Sequence, residues 1–184
     1  MNLGFDIDGV LYPFHEVVYN YCHRDLGMKL TYDEFWYNII NDKFSKVFVD
    51  NLVNDPKHYN KFLIDPKILD LLNALSMEHT IYYVTARPKE LNFTTRTWFE
   101  RNKLPQLENL FITNNGDKVK YIVDHKIEVF VEDRDRNALE LKDYTKVILV
   151  KKLWNESIRD QFLCVDSVLE LPSVLENLKG SKVI

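Results

Sequence analysis

GFDIDGVLY, residues 4–12, is the stretch on which the reading of this chain turns. An apolar run ends in two carboxylates one residue apart, Asp6 and Asp8, and Gly9 follows. Asp-Gly between hydrophobic stretches is a strong local hairpin signal. The same residues also suit a strand that ends at the mouth of an active site. After Gly9 the chain reads Val10-Leu11-Tyr12-Pro13, too short for a return strand before a proline that cannot donate to a ladder.

Working outward, five short runs read as buried strands: NLGFDI (2–7), TIYYVT (80–85), NLFIT (109–113), EVFVED (128–133) and KVILVKK (146–152). Their apolarity is continuous rather than alternating, which predicts burial on both faces, as in a parallel sheet. Helical patterns lie between them. Asp65-Pro66 is an N-cap and first-turn pair for PKILDLLNALSM, whose Ile68, Leu69, Leu72 and Leu75 share a face. Further helical segments are expected over 90–102, 117–125 and 136–144, and the C-terminal stretch adds a short strand and a helix starting near Pro172. Strand then helix, repeated, predicts an α/β fold, a doubly wound (Rossmann-like) parallel sheet.

Residues 14–64 break that alternation. They hold helical segments only: FHEVVYNYCHRDL before Gly27, TYDEFWYNII with Thr31 and Glu34 spaced as a capping box, KFSKVFVDNL and PKHYNKFLI. The expected organisation is a core of 1–13 and 65–184 with a small helical cap, 14–64, inserted after the first strand. Such an insert would lie over the carboxyl ends of the strands, where open α/β sheets bind ligands.

The polar residues at those ends fall into one chemistry. Asp6 and Asp8 follow the first strand. Thr85, Ala86 and Arg87 follow the second. Asn114, Asn115 and Gly116 follow the third, with Lys118 at a helix start. Glu132, Asp133 and Arg134 close the fourth. Taken singly, each has an ordinary structural role: Asp8-Gly9 as a turn, Thr85 as a β-former, Lys118 as a solvated helix residue, Glu132 and Asp133 as acids at a helix start. Their recurrence at successive strand ends brings four acids, a hydroxyl and a lysine to one edge. Clustered carboxylates suit Mg²⁺. A hydroxyl, a lysine and backbone N–H groups suit phosphate oxygens. An aspartate can attack phosphorus. The set points to metal-assisted phosphoryl transfer.

Bulk properties agree. The chain has 184 residues, is 46% hydrophobic, carries a net charge of −4 and shows no basic stripe, so a long nucleic acid is not an expected partner whereas a small phosphorylated substrate is. Two isolated cysteines, Cys22 and Cys164, and five histidines without ligand spacing give no zinc signal. No segment resembles a signal peptide or a membrane span, so a cytoplasmic protein with no membrane partner is expected.

DIDGV is similar to the DxDG(T/V) motif of the haloacid dehalogenase (HAD) superfamily. VTAR resembles its second motif, Lys118 is placed like its third-motif lysine, and FVEDR resembles its acidic fourth motif. The likeness runs along essentially the whole chain. The helical insert looks like a C1-type cap. Together with EDR and VILVKKLWN, it looks most like the 5′(3′)-deoxyribonucleotidase-like branch. The resemblance implies that Asp6 is the nucleophile and a Mg²⁺ ligand. It implies that Asp8 exchanges the proton with leaving group and water, and binds the metal through its carbonyl. Asp133 would complete the ligands, and Thr85 and Lys118 would hold the phosphoryl group with N–H groups around Ile7 to Gly9. Glu132 stands where Asp is common, so it competes with Asp133 for the metal. Lys120 competes with Lys118. Ala86 and Arg87 are candidates for substrate binding, Arg87 with a turn role as the alternative beside Pro88.

EFWYN (34–38) places Phe35, Trp36 and Tyr37 in the insert, near Phe44 and Phe48. A helix buries one face, so part of this set is free to stack on a nucleobase, and Phe35 and Trp36 are the candidates. The expected activity is Mg²⁺-dependent hydrolysis of (deoxy)nucleoside monophosphates through an aspartyl-phosphate. The alternatives are a phosphatase for a sugar phosphate or another small phosphoester, and a non-catalytic regulatory protein on this scaffold. The intact set of Asp6, Asp8, Thr85, Lys118 and Asp133 argues against the last.

Overall fold

In the computed structural model, which describes residues 1–114 and 116–180, the apolar runs form strands. β1 (Asn2–Phe5), β2 (Thr80–Thr85), β3 (Leu110–Ile112), β4 (Val129–Glu132), β5 (Lys146–Val150) and β6 (Leu163–Val165) make one parallel sheet in the order β3-β2-β1-β4-β5-β6. β6 is the short extra strand expected of the C-terminal stretch.

Alternate strand residues serve opposite layers. Leu3, Phe5, Ile81, Tyr83, Val129 and Val131 pack on one side, and Val84, Phe130, Val147 and Leu149 on the other. Burial on both faces explains why the runs are apolar without alternation. Gly4 permits a close approach within the sheet: a Cβ there would stand 2.3 Å from a ring carbon of Phe130.

The helices are α1 (Phe14–Arg24), α2 (Tyr32–Ile40), α3 (Lys46–Val53), α4 (Pro66–Glu78), α5 (Asn92–Asn102), α6 (Val119–Asp124), α7 (Asp135–Leu141) and α8 (Leu171–Gly180). Local chemistry starts several of them. Asp65 Oδ1 accepts from the Lys67 N–H at 2.8 Å ahead of α4. Thr31 and Glu34 form the expected capping box of α2. No helix among the described residues is long and apolar enough to cross a membrane.

Between β1 and α4 the described residues hold α1, α2 and α3 and no strand. One expectation fails here. PKHYNKFLI (56–64) is not a helix beyond one 3₁₀ turn at Pro56–His58. Core side chains bind its backbone instead: Trp98 Nε1 donates to the Phe62 carbonyl at 2.7 Å, and the Ile64 N–H donates to Asn102 Oδ1 at 2.8 Å. Backbone groups satisfied in this way do not need a helical ladder.

β1 sits where the strand order reverses, with β2 on one side and β4 on the other. Open α/β sheets bind ligands at that crevice, at the carboxyl ends of the strands. The residues following β1, β2 and β4 meet there.

Candidate active site

The residues after β1 do not form a hairpin. The N–H groups of Leu11 and Tyr12 both donate to the Ile7 carbonyl, at 2.9 and 2.8 Å, and the Gly9 N–H donates to the Tyr12 carbonyl at 2.9 Å. The result is a tight loop that aims Asp6 inward and leads into α1. Gly9 has φ +85°, and a Cβ on it would stand 2.1 Å from Asp133 Oδ2. The Gly9 N–H, expected among the donors to phosphate, is turned to the Tyr12 carbonyl in this structure. That N–H is already engaged, and what Gly9 supplies is room for the Asp133 carboxylate. Gly9→Ala is expected to cost about 1–3 kcal/mol, from the strained backbone and the displaced acid. Thermal unfolding of that variant measures it.

Lys118 stands at the start of α6, buried, with its ammonium between two acids. Nζ donates to Asp6 Oδ1 at 2.8 Å and to Glu132 Oε2 at 2.7 Å. Lys120, its competitor in the sequence, is exposed and pairs with Asp124 one turn on.

Glu132 and Asp133, adjacent in sequence, face different surroundings. Glu132 accepts from Lys118, from Asn137 Nδ2 at 3.1 Å and from the N–H groups of Asp133 and Arg134 at 3.0 Å each. Its carboxylate is fully engaged as a clamp. Burial pushes its pKa up, but Lys118 and the two N–H donors outweigh burial and hold it low. Both oxygens of Asp133 are buried without a hydrogen-bond partner, while its carbonyl is held by Asn155 Nδ2 at 2.7 Å and Trp154 Nε1 at 3.0 Å. Burial, then the charges of Glu132 and Asp6, pushes the Asp133 carboxyl well above the ordinary range. Asp6 rises to about 7, through burial first, with Lys118 pulling the other way.

Asp6, Glu132 and Asp133 offer carboxylate oxygens within 4.8 Å of one another. Three buried acids against one ammonium leave excess negative charge, and the bare oxygens of Asp133 are the acceptors with nothing to accept from. Buried polar groups are seldom left unpaired. The cluster has the donor type, charge and open acceptors that a hard divalent cation requires.

Two cavities flank this centre. One, of about 330 Å³, runs from Asp6, Asp8 and Thr85 to the inner faces of α2 and α3. The other, of about 670 Å³, opens outward past Lys118, Arg134 and Arg136. Ala86 borders both.

No family model matches the chain. It is 24% identical over 189 residues to the Bacillus subtilis protein YqfW, provisionally named a nucleotidase, spanning 97% of this chain and 95% of that protein. A HAD family hydrolase from Deinococcus radiodurans, solved with bound phosphate and sodium, superposes with a TM-score of 0.66 at 14% identity, over 96% of this chain and 95% of that one. The Bacillus subtilis protein YfnB, provisionally named a HAD hydrolase and solved bound to magnesium, gives a TM-score of 0.57 at 14% identity, over 95% of this chain and 98% of that one. The chain has the haloacid dehalogenase fold.

Within this haloacid dehalogenase fold the remaining candidates sort by position. Thr85 is buried at the end of β2, and its Oγ1 accepts from the Arg87 N–H at 3.3 Å. Arg87 does not stand free for phosphate. Its Nε and Nη2 grip the two oxygens of Asp8 at 2.8 and 2.6 Å, its Nη1 donates to Thr95 Oγ1 at 3.2 Å, and its guanidinium lies 4.7 Å from the Tyr59 ring centre. Such a bidentate fork fixes the Asp8 carboxylate in one orientation. Trp36 borders the inner cavity. Phe35 does not. It is wholly buried against Tyr19, Trp36 and Phe44, so its expected base-stacking role gives way to packing. Asn115, expected beyond β3, lies outside the described residues.

Several residues at the site had no motif to mark them. His15 borders the inner cavity, packs between Trp36 and Trp154, and turns an unpartnered Nδ1 to 3.9 Å from Asp133 Oδ2. Nothing in its spacing reveals this. Trp154 and Asn155 lie within the VILVKKLWN stretch, whose likeness to the nucleotidase-like branch is the one sequence signal that reaches them.

Proposed function

We propose that this protein is a Mg²⁺-dependent phosphomonoesterase that hydrolyses nucleoside monophosphates through an aspartyl-phosphate on Asp6. The observation that carries this reading is one junction. Asp6, held by Lys118 and next to the bare oxygens of Asp133, opens into a cavity roofed by Trp36 and apolar residues of the helical insert.

Asp6, Asp133 and the Asp8 backbone carbonyl would hold the Mg²⁺. Bound there, the ion would offset charge on a phosphoryl oxygen as a Lewis acid. The chain's own residues do the rest. Lys118 holds one oxygen of Asp6, which leaves the other to attack phosphorus. The Asp6 oxygen–phosphorus bond forms as the ester oxygen–phosphorus bond breaks, and Asp8 gives its proton to the departing oxygen. In the second step a water oxygen bonds to phosphorus, Asp8 takes the water's proton, and the Asp6 oxygen is released. The Arg87 fork holds both Asp8 oxygens, so one of its N–H groups must release an Asp8 oxygen for that oxygen to carry the proton, while the other keeps the side chain in place. The Thr85 hydroxyl and the Lys118 ammonium bind phosphoryl oxygens where negative charge gathers.

Within this reading the cap roof limits the leaving group to a small molecule, and a cavity of about 330 Å³ lies at the lower end of the range for small-ligand sites. The test is a panel of nucleoside monophosphates and sugar phosphates, each with Mg²⁺ and with EDTA. We expect kcat/KM for the best nucleotide to exceed that for any sugar phosphate at least about tenfold, a difference of roughly 1.4 kcal/mol, and EDTA to abolish turnover. Equal rates on sugar phosphates, or full activity in EDTA, would count against it.

A further inference from the structure

The inner cavity has two ends of different chemistry. Asp6, Asp8 and Thr85 stand at one end. At the other, α3 presents Val49 and Val53, and beside them Asp50 and Asn54. Residues four apart on a helix share a ridge. An apolar ridge and a polar ridge therefore face the cavity together. Phe14, Trp36, Ile39 and Tyr59 line the same cavity and supply the aromatic and apolar surface that a flat base packs on, while His15, Arg87, Arg134 and Asn137 add polar groups to its lining. Among the described residues, neither the Asp50 carboxylate nor the Asn54 amide has a hydrogen-bond or ion-pair partner.

We propose that α3 reads the base of the nucleotide, with Asp50 as the specificity-determining residue and guanine nucleotides as the preferred substrates. This rests on the nucleotide phosphomonoesterase reading above. A carboxylate only accepts, through two oxygens in one plane. Guanine offers it two adjacent donors, N1–H and the N2 amino group. Adenine and cytosine place an acceptor beside their amino donor. Uracil and thymine place their one N–H between two carbonyls, whose oxygens would oppose a carboxylate. Hypoxanthine lacks the amino group. Next to N1–H, guanine carries the O6 acceptor. Asn54, one turn along the same ridge, has the amide N–H to meet it. The order acceptor, donor, donor on the base thus matches donor, acceptor, acceptor on the helix.

The test compares kcat/KM for guanosine, inosine, adenosine and uridine monophosphates in the wild type and in Asp50→Asn, with phosphoethanolamine and phosphocholine as a further arm. A site that hydrogen-bonds a ligand group discriminates against analogues lacking it. The guanosine-to-inosine ratio is expected to be at least about tenfold in the wild type and to fall towards one in Asp50→Asn, mainly through KM. A ratio is insensitive to the fraction of protein folded. Calorimetric affinities of guanosine and inosine monophosphate for the wild type and Asp50→Asn, measured in EDTA so that neither nucleotide turns over, give a second reading, with the same tenfold ratio expected. A wild-type ratio near one, or one that persists in Asp50→Asn, overturns the proposal. So does a preference for the aminoalkyl phosphates, which would make Asp50 a partner for a cationic head group. Absence of turnover on every ester overturns the phosphomonoesterase reading instead, and the affinities then decide base recognition by themselves.

Discussion

Asp6→Asn is expected to lower turnover on every phosphomonoester by at least about 10⁴-fold, the scale seen when a covalent nucleophile is removed. The fold should be unaffected. The Asp6 carboxylate is disfavoured by its own burial, which is what raises its pKa to about 7. A neutral amide of the same shape removes that desolvation while leaving Lys118 its bond to Glu132. The thermal midpoint is therefore expected to stay level or rise as activity disappears. A variant that retains wild-type rates contradicts the assignment of Asp6 as nucleophile.

Lys118→Met should fail in the opposite way, losing stability and activity together. Removing the ammonium leaves Asp6 and Glu132 facing one another, both buried, with no cation between them. Deleting one partner of a buried ion pair typically costs about 3–5 kcal/mol. For a domain of this length that is a fall in thermal midpoint on the order of 10 °C. Turnover should drop on the order of 10²–10³-fold, because the charge that binds the phosphoryl oxygens is lost. Adding Glu132→Gln to Lys118→Met removes one of the two stranded charges. The double variant should recover part of the stability and none of the rate. Recovery of both would mean that Lys118 acts only as a structural counter-ion.

These effects trace back to features that were legible in the sequence to different degrees. The sheet was legible because a strand buried on both faces must be apolar along its interior, and residues 81–84 of TIYYVT and 147–150 of KVILVKK are. The strand-end residues Asp6, Asp8, Thr85, Lys118 and Asp133 were legible because each lies within a few residues of such a run. Chain order then carries them to one edge. What was not legible depends on which side chain meets which across the fold. Arg87 is 79 positions from Asp8, and no local pattern records their bidentate pairing. Phe35 and Trp36 are neighbours with the same hydrophobic character. Only the packing of α2 decides that Phe35 turns into the insert and Trp36 borders the cavity. Glu132 and Asp133 compete for the metal in the sequence, with Asp133 the preferred ligand, and nothing local records the partners that set them apart. Four donors occupy one, and none reaches the carboxylate of the other. The 56–64 segment reads as helical by composition, but Trp98 and Asn102 hold its backbone in another shape.

The central claim is that phosphorus is bonded to Asp6 during turnover. Its most direct measurement is mass analysis of the peptide containing residues 4–12 after acid quenching of the enzyme during steady-state hydrolysis of a nucleoside monophosphate with Mg²⁺. The predicted result is a fraction of that peptide heavier by one phosphoryl group, with the added mass on Asp6. It should be absent when the quenched sample is first treated with hydroxylamine, which cleaves acyl phosphates, and absent in Asp6→Asn. A peptide that stays unmodified while turnover proceeds, or a phosphoryl group found on another residue, would contradict the account.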